Sequence, residues 1–221
     1  MNTSAATLLV NSLLEMPAFM DHAFRGLKPD HLTVLPDNDK SPLAEHAWHV
    51  RDCEEELYGM RIRKVLDEVD PYIEPMSVSH WPEERGYLAK PVAQAAQEFR
   101  ELRESLVKLL RAAPLNALDR TCRRGDGSKS SIAELIGELL EHDQDHRVRI
   151  AAILARRVAS ANPSGRTSPR SQPAESFVFP TSRTGTVSNG SRARAARRRE
   201  VPRTLDAPRP RARWCRPSPA A

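Results

Sequence analysis

Apolar residues recur at spacings of three and four along four segments of the chain, which is the period of a helix that packs one face against a core. We predict helices over about residues 4–24, 42–69, 92–112 and 131–158. Residues 1–160 contain no run in which apolar and polar residues alternate, so we expect no β-strand there. The expected fold is all-α, an antiparallel four-helix bundle with a long loop between the second and third helices.

Several residues predict where these helices begin or bend. Pro17 should kink or divide the first helix, because a proline inside a helix removes one backbone hydrogen bond. Ser41 can cap the second helix, with Pro42 in its first turn. The sequence Ser131-Ile132-Ala133-Glu134 is a capping box that opens the fourth helix.

The third helix divides into a core face and a solvated face. Periodicity places these side chains in the core: Ala95, Phe99, Leu102, Leu106, Leu109 and Leu110. It places these on the solvated face: Glu98, Arg100, Glu101, Arg103 and Glu104. The preceding loop, residues 71–90, has no clear period, and we interpret it as an ordered segment in which His80 and Trp81 are candidates for lining a substrate entrance.

Charge divides the chain near residue 160. The whole chain has 34 basic and 29 acidic residues, and residues 161–221 hold 13 Arg, no Lys, 3 acidic residues and 9 of the 18 prolines. The remaining 21 basic and 26 acidic residues give residues 1–160 a net charge of about −5. We predict a helical domain with a metal site over residues 1–160, followed by a disordered Arg/Pro/Ser-rich tail over residues 161–221.

Cysteine usage and hydropathy indicate the compartment. Cys53, Cys122 and Cys215 are widely spaced, which argues against a disulfide framework and suits a reducing environment. The N-terminal residues lack the basic region of a signal peptide. No apolar run approaches the ~20 residues that a membrane span needs. We expect a cytoplasmic protein that has no membrane partner.

Two histidines in the fourth helix are the main candidates for chemistry. His142 and His146 are four residues apart and continue the apolar stripe of that helix, so both imidazoles should point into the core. Buried imidazole nitrogens need partners, and a shared cation provides one for each ring. The alternative that this spacing leaves open is a pair of hydrogen-bonded core histidines.

The second helix offers a third ligand. A metal site in a bundle core takes its ligands from facing helices, and this helix carries His46 and His49. His46 lies nearer the middle of the apolar stripe, so periodicity alone favours it. Cys53 shares a face with His49 and is a candidate soft ligand, although a cysteine in such a stripe is usually an ordinary core residue.

The motif Trp48-His49-Val50-Arg51-Asp52-Cys53-Glu54, followed by His142-Asp143-Gln144-Asp145-His146, resembles the DinB-like (YfiT-like) family of helical-bundle metalloproteins. In that family, His-Leu-x-Asp-x-Glu on the second helix supplies one metal-binding histidine and His-x-x-x-His on the last helix supplies two. The resemblance spans about residues 5–157, with valine in place of the usual leucine. It implies His49, His142 and His146 as the metal ligands, with His46 as the alternative to His49.

Three aspartates near these histidines are candidates for orienting the imidazoles: Asp52, Asp143 and Asp145. The alternative is that they are surface carboxylates near helix ends. The resemblance implies a divalent metal cofactor, with zinc or nickel first and iron or manganese as alternatives. It also implies a small-molecule substrate, a homodimer, and one of two reactions: transfer of a low-molecular-weight thiol or metal-dependent hydrolysis.

Two other functions remain open from the sequence. The first is a non-catalytic stress-response bundle with a structural or vestigial metal site. The second is a binder of nucleic acid or of an acidic partner that uses the run from Arg192 to Arg199. We do not expect specific nucleic-acid binding, because arginine runs in Pro- and Ser-rich segments are more often simply solvated.

Overall fold

The computed structural model describes residues 2–161, which are mainly helical. The helices are α1 (Thr3–Ser12), α2 (Glu15–Ala23), α3 (Pro29–Thr33), α4 (Leu43–Cys53), α5 (Gly59–Asp67), α6 (Trp81–Glu84), α7 (Val92–Ala112) and α8 (Ile132–Ala161). Short 3-10 turns lie at Tyr87–Ala89 and Leu115–Asp119. No helix in this part of the chain is long and apolar enough to cross a bilayer. Residues 162–221, and with them most of the predicted tail, lie outside the described residues.

Four helical segments contribute to one apolar core. They are α1 with α2, α4 with α5, α7, and α8, and α4 contacts both α7 and α8. The stripe predicted for α8 is buried along its length: Ile132, Leu135, Leu139, His142, His146, Ile150 and Ile153. The prediction of a helical fold is confirmed, and the antiparallel order of the bundle stays a prediction.

A small sheet shows that the prediction of no β-strand was wrong. Strand β1 (Tyr72–Ile73) pairs in parallel with β2 (Thr121–Arg124), and β2 pairs antiparallel with β3 (Lys129–Ser131). These strands contain 2, 4 and 3 residues, which is too short for an alternating pattern to be recognised in the sequence. The loop predicted at residues 71–90 therefore contains β1, α6 and a 3-10 turn.

Two helix boundaries differ from those expected. The first helical segment is interrupted at Leu13 and Leu14, between α1 and α2. Pro17 lies in the first turn of α2, where its missing N–H has no intrahelical partner to lose. At the start of α4 the capping residue is Pro42, with no side-chain hydrogen bond, so Ser41 does not cap this helix.

Helix α8 begins with the predicted capping box. The backbone N–H of Ser131 donates to Glu134 Oε2 at 2.7 Å, and the backbone N–H of Glu134 donates to Ser131 Oγ at 3.2 Å. Two amide groups that a helix start leaves unpaired are thereby satisfied. This confirms that local sequence sets where the histidine-bearing helix begins.

A π-helical turn, Glu54–Tyr58, joins α4 to α5. Gly59 follows it at a close approach of the backbone: a Cβ atom there would lie 2.3 Å from the carbonyl oxygen of Glu54. Only glycine tolerates that distance without a shift of the chain. π turns within α-helices are frequently found at functional sites. The turn directly after Cys53 therefore indicates that a functional site lies near this residue.

Candidate metal centre

Helices α4 and α8 bring four histidines together inside the core. Helix α4 supplies His46 and His49, α8 supplies His142 and His146, and the most exposed of the four, His142, is 7% exposed. Spacings of three and four residues put each pair on one face of its helix. Because α4 packs against α8, the two pairs meet. Both histidines of α4 are therefore in the core. Burial does not show which of them is the metal ligand, and only their contacts distinguish them.

The three imidazoles predicted as ligands are mutual neighbours. The ring centroids of His49 and His142 are 5.5 Å apart, those of His49 and His146 are 5.2 Å apart, and those of His142 and His146 are 4.6 Å apart. Rings that bind one zinc ion through nitrogens at about 2.0–2.1 Å must be near neighbours of this kind. The structure brings the predicted residues together, and their role as ligands stays a prediction.

His49, Cys53 and His142 form a group of possible ligand atoms, which does not include the predicted ligand His146. One ligand atom of each lies within 4.8 Å of the other two. Cys53 follows His49 by one helical turn, and its Sγ is 3.4 Å from His49 Nε2. All three side chains are buried. This group has the donor atoms and the spacing to hold a divalent cation.

His146 is engaged with the other histidine of α4. Its Nδ1 lies 3.0 Å from Nδ1 of His46, so one of these two rings donates a hydrogen bond to the other. His46 in turn approaches Asp39, with 3.7 Å between Nε2 and Oδ2. Partial burial raises the pKa of the Asp39 carboxyl, but the interaction with His46 opposes this effect, and the pKa is lowered overall. His46 is thus placed to orient the imidazole of His146, which is the role that a partner behind a metal ligand has.

Burial, followed by the neighbouring His142, His49 and His46, holds the pKa of His146 well below its usual range. A low pKa keeps the ring neutral, and a neutral imidazole is the form that binds metals. The low pKa of His146 therefore suits a metal ligand.

His142 gives the strongest indication of a bound group. Both of its ring nitrogens are buried, and neither has a hydrogen-bond partner among the residues that the structure describes. A buried polar atom left unpaired costs about 1–3 kcal/mol, so such an atom in a native core calls for an explanation. A cation bound at His142 would remove part of that cost. The residues present therefore fit a divalent metal ion.

A buried arginine connects the two helices that carry the histidines. Arg103 of α7 is 0% exposed. It donates from Nη1 to Asp143 Oδ2 at 2.7 Å and to the carbonyl oxygen of Leu13 at 2.8 Å, and from Nη2 to Glu54 Oε2 at 3.0 Å. Burial opposes ionisation, but the charges of Glu54 and Asp143 raise the pKa of Arg103 above its ordinary value. The side chain stays charged and pairs with the residues next to Cys53 and His142.

The prediction that placed Arg103 on the solvated face was therefore wrong, and Leu109, predicted inward, is 39% exposed. A signal for Arg103 was present, since it lies four residues after Phe99 and three before Leu106 on the buried stripe. An arginine at such a position is normally read as exposed, because burying an unpaired charge is costly. Its partners come from other elements and are invisible to periodicity.

Two of the three aspartates predicted to orient imidazoles, Asp52 and Asp143, have other partners, and Asp145 is exposed. Asp52 is buried and accepts hydrogen bonds from Arg51 at 2.9 Å, from Arg85 at 2.6 Å and from the hydroxyl of Tyr87 at 2.7 Å. Burial and the bond to Asp52 raise the pKa of that hydroxyl. Asp143 pairs with Arg103, as described above. Asp52 forms with Arg85 and Tyr87 a framework that joins α4 to the 71–90 segment, Asp143 joins α8 to α7, and neither carboxylate is a surface group.

An open cleft of about 360 Å³ lies on the outer side of this framework. Its lining residues are Trp48, Arg51, Asp52, Arg85, Lys90, Gln94 and Glu98. His80, predicted at a substrate entrance, is not among them and is exposed next to Glu84, with 3.3 Å between Nε2 and Oε2. Trp81 is buried beneath Arg85, whose guanidinium carbon lies 3.8 Å from the ring centroid.

The fold and the site together define a helical protein with a buried histidine–cysteine cluster suited to a divalent metal ion. A family model described as the DinB superfamily matches residues 13–150, and the chain belongs to this superfamily. The resemblance inferred from the two histidine motifs is thereby confirmed.

Comparison with solved structures gives the same fold. The chain is similar to YfiT from Bacillus subtilis, described as a probable metal-dependent hydrolase with an unusual four-helix bundle topology. The two are 19% identical, with a TM-score of 0.64, and the match covers 72% of this chain and 90% of YfiT. No curated protein sequence matches the chain.

Proposed function

We propose that this chain is a divalent-metal-dependent enzyme that hydrolyses a small-molecule substrate, with its metal ion held by His49, His142 and His146. The observation that carries the proposal is the buried imidazole of His142, whose two nitrogens have no hydrogen-bond partner among the described residues. The description of YfiT as a probable metal-dependent hydrolase supports hydrolysis as the reaction. Three imidazoles leave at least one coordination position for water or substrate.

A divalent ion bound at this site would lower the pKa of a bound water or thiol and polarise a carbonyl group. The chain contributes the positions of the ligands. The low pKa of His146 keeps its ring neutral, and His46 orients that ring through the 3.0 Å contact between the two Nδ1 atoms. Arg103 pairs with Asp143 beside His142, which stabilises the helix that carries two of the ligands.

The family resemblance extends this proposal to a thiol. In this form, a low-molecular-weight thiol replaces water as the nucleophile and is transferred to a small electrophile. Zinc or nickel is the proposed metal, with iron or manganese as alternatives. A cytoplasmic location and a homodimer complete the proposal, both from the sequence and its family resemblance.

A structural metal site is the second candidate, because every imidazole in the cluster is at least nine-tenths buried. A structural site has all its coordination positions filled by protein, whereas a catalytic site keeps one open. Turnover is therefore the property that separates the two candidates.

The test uses the purified full chain. Elemental analysis should find zinc or another divalent metal, and hydrolysis of small esters and amides should occur without added thiol and stop when the metal is chelated. His142→Ala should lose both metal and turnover, and His22→Ala, which changes an exposed histidine of α2, should keep both. The proposal fails if the wild-type chain binds no divalent metal, or if His142→Ala retains its metal content. Turnover that appears only with a small thiol would assign the transferase form.

A further inference from the structure

We infer that the thiolate of Cys53 is a ligand of the same metal ion, which makes the site a mixed nitrogen–sulfur centre. This inference rests on the metal site proposed above and goes beyond it in the donor set. The ligands implied by the family resemblance are imidazoles only, and the motif that carries the resemblance leaves the position of Cys53 variable.

The distance between Cys53 and His49 suits two ligands of one ion. Cys53 Sγ is 3.4 Å from His49 Nε2. Tetrahedral zinc, with bonds of about 2.0 Å to nitrogen and about 2.3 Å to sulfur, separates two such ligand atoms by about 3.5 Å. The ligand atoms of His49, Cys53 and His142 also all lie within 4.8 Å of one another. Only small movements of the side chains are needed to bring the three atoms around one ion.

The environment of His142 points to a ligand independently of the cysteine. A distance of 3.4 Å would also suit a hydrogen bond between the thiol and His49, and a cysteine in a core is usually inert. His142, however, is 7% exposed and has two ring nitrogens without a hydrogen-bond partner in residues 2–161. One of its nitrogens belongs to the same group of ligand atoms as Cys53 Sγ. A hydrogen bond between Cys53 and His49 leaves both nitrogens of His142 without a partner, whereas a cation shared by all three side chains gives one of them a partner.

The local backbone also favours a functional role for Cys53. Cys53 is the last residue of α4, and the π turn Glu54–Tyr58 begins directly after it. Glu54, the first residue of that turn, is held by Arg103 at 3.0 Å. A π turn frequently accompanies a functional site. The turn and the buried ion pair together hold the end of α4 at the cluster.

Metal binding at Cys53 forms a metal–sulfur bond in place of the S–H bond. The thiol proton passes to the solvent, and no electron is transferred. A thiolate is a soft ligand, which favours zinc over manganese. Together with the three imidazoles, Cys53 would fill a tetrahedral site, so the proposed hydrolysis would require water or substrate to bind as a fifth ligand, an expansion that some catalytic zinc sites undergo in the transition state.

Cobalt(II) added to the metal-free full chain tests this inference optically. The wild type should develop the near-ultraviolet absorption band that arises from charge transfer between sulfur and cobalt. Cys53→Ser should lose the band while still binding cobalt through its imidazoles. Cys122→Ser is the matched control, since Cys122 is equally buried and its Sγ donates to the carbonyl oxygen of Ser130 at 3.3 Å; this variant and Cys215→Ser should keep the band.

Zinc affinity gives a second readout. Removal of a residue that only orients a ligand weakens metal binding by roughly 10-fold or more. Removal of a ligand should cost more, so the dissociation constant of Cys53→Ser for zinc should rise by more than about 10-fold. That of Cys122→Ser should not change. Equal affinities of Cys53→Ser and the wild type would overturn the inference.

X-ray absorption on the zinc-loaded wild type needs no variant, so it holds even where a substitution impairs folding. One sulfur at about 2.3 Å from zinc is expected, and a shell of nitrogen and oxygen alone would overturn the inference.

Failure of the Cys53 inference can be distinguished from failure of the proposed function. If cobalt binds, is lost in His142→Ala and gives no charge-transfer band, Cys53 is not a ligand and the proposed histidine metal site stands; if the wild type binds neither cobalt nor zinc, both proposals fail.

Discussion

Arg103 is the residue on which the packing around the cluster depends most. Its guanidinium reaches the end of α1, the π turn and the middle of α8, and all three partners are oxygen atoms. Glu54 and Asp143 are buried with it. A buried ion pair adds little stability relative to an apolar core, but removal of one partner leaves the other charges buried without compensation. A substitution that removes the guanidinium of Arg103 should therefore destabilise the fold.

We predict that Arg103→Ala lowers the free energy of unfolding by about 3–5 kcal/mol, because two carboxylates lose their counter-charge inside the core. Lys108→Ala, at an exposed position of the same helix, should change it by less than about 0.5 kcal/mol. Urea denaturation of the two variants and the wild type measures the difference. Equal effects of the two substitutions would show that the buried group of Arg103, Glu54 and Asp143 is not a structural centre of the fold.

The helical element from Leu43 to Asp67 carries both a π turn and three side chains of the cluster, His46, His49 and Cys53. It is α-helical up to Cys53, π-helical to Tyr58 and α-helical again from Gly59. The wider π turn changes the direction in which the residues after it point, relative to those before it. Gly59 permits this, because a Cβ there would contact the carbonyl oxygen of Glu54.

We predict that Gly59→Ala destabilises the protein by about 1–3 kcal/mol, since the backbone must shift to accept a Cβ 2.3 Å from an oxygen atom. Gly137→Ala in α8 is the matched control. A Cβ at Gly137 meets no atom within 4 Å, so alanine should stabilise the helix by up to about 1 kcal/mol. Thermal unfolding of both variants measures opposite signs, and a stabilised Gly59→Ala would contradict the role of the close approach.

At the scale of the whole molecule, the cluster lies in the same apolar core that the four helical segments share. A metal ion held between α4 and α8 should therefore stabilise the cooperative unit and not only one helix. The ligands must be brought together by folding, so metal-binding free energy becomes folding free energy.

We predict that zinc at about 100 times its dissociation constant adds about 2.7 kcal/mol to the free energy of unfolding and raises Tm by roughly 5–10 °C. Chelation should reverse the shift in a thermal melt of the full chain. His142→Ala should show no rise, and His22→Ala should behave as the wild type. An equal rise in His142→Ala would mean that the zinc binds elsewhere on the chain.

Much of the fold was predictable because its information is local. Apolar periodicity predicted α7 with its observed bounds and the buried stripe of α8, and the Ser131–Glu134 capping box predicted where α8 begins. The two histidine motifs predicted the superfamily. The short strands were missed because two to four residues carry no detectable period.

The amino-acid sequence by itself determined most of the apolar residues that face the core and the inward direction of His142 and His146, although it misplaced Arg103 and Leu109. Only the tertiary structure decided which of these side chains meet. It placed His46 against His146, Cys53 beside His49, and the charge of Arg103 between two buried carboxylates. The physical reason is that a periodic pattern reports one helix at a time. The partners across a core depend on how each helix is rotated and placed against its neighbours, which the packing of all of them sets together.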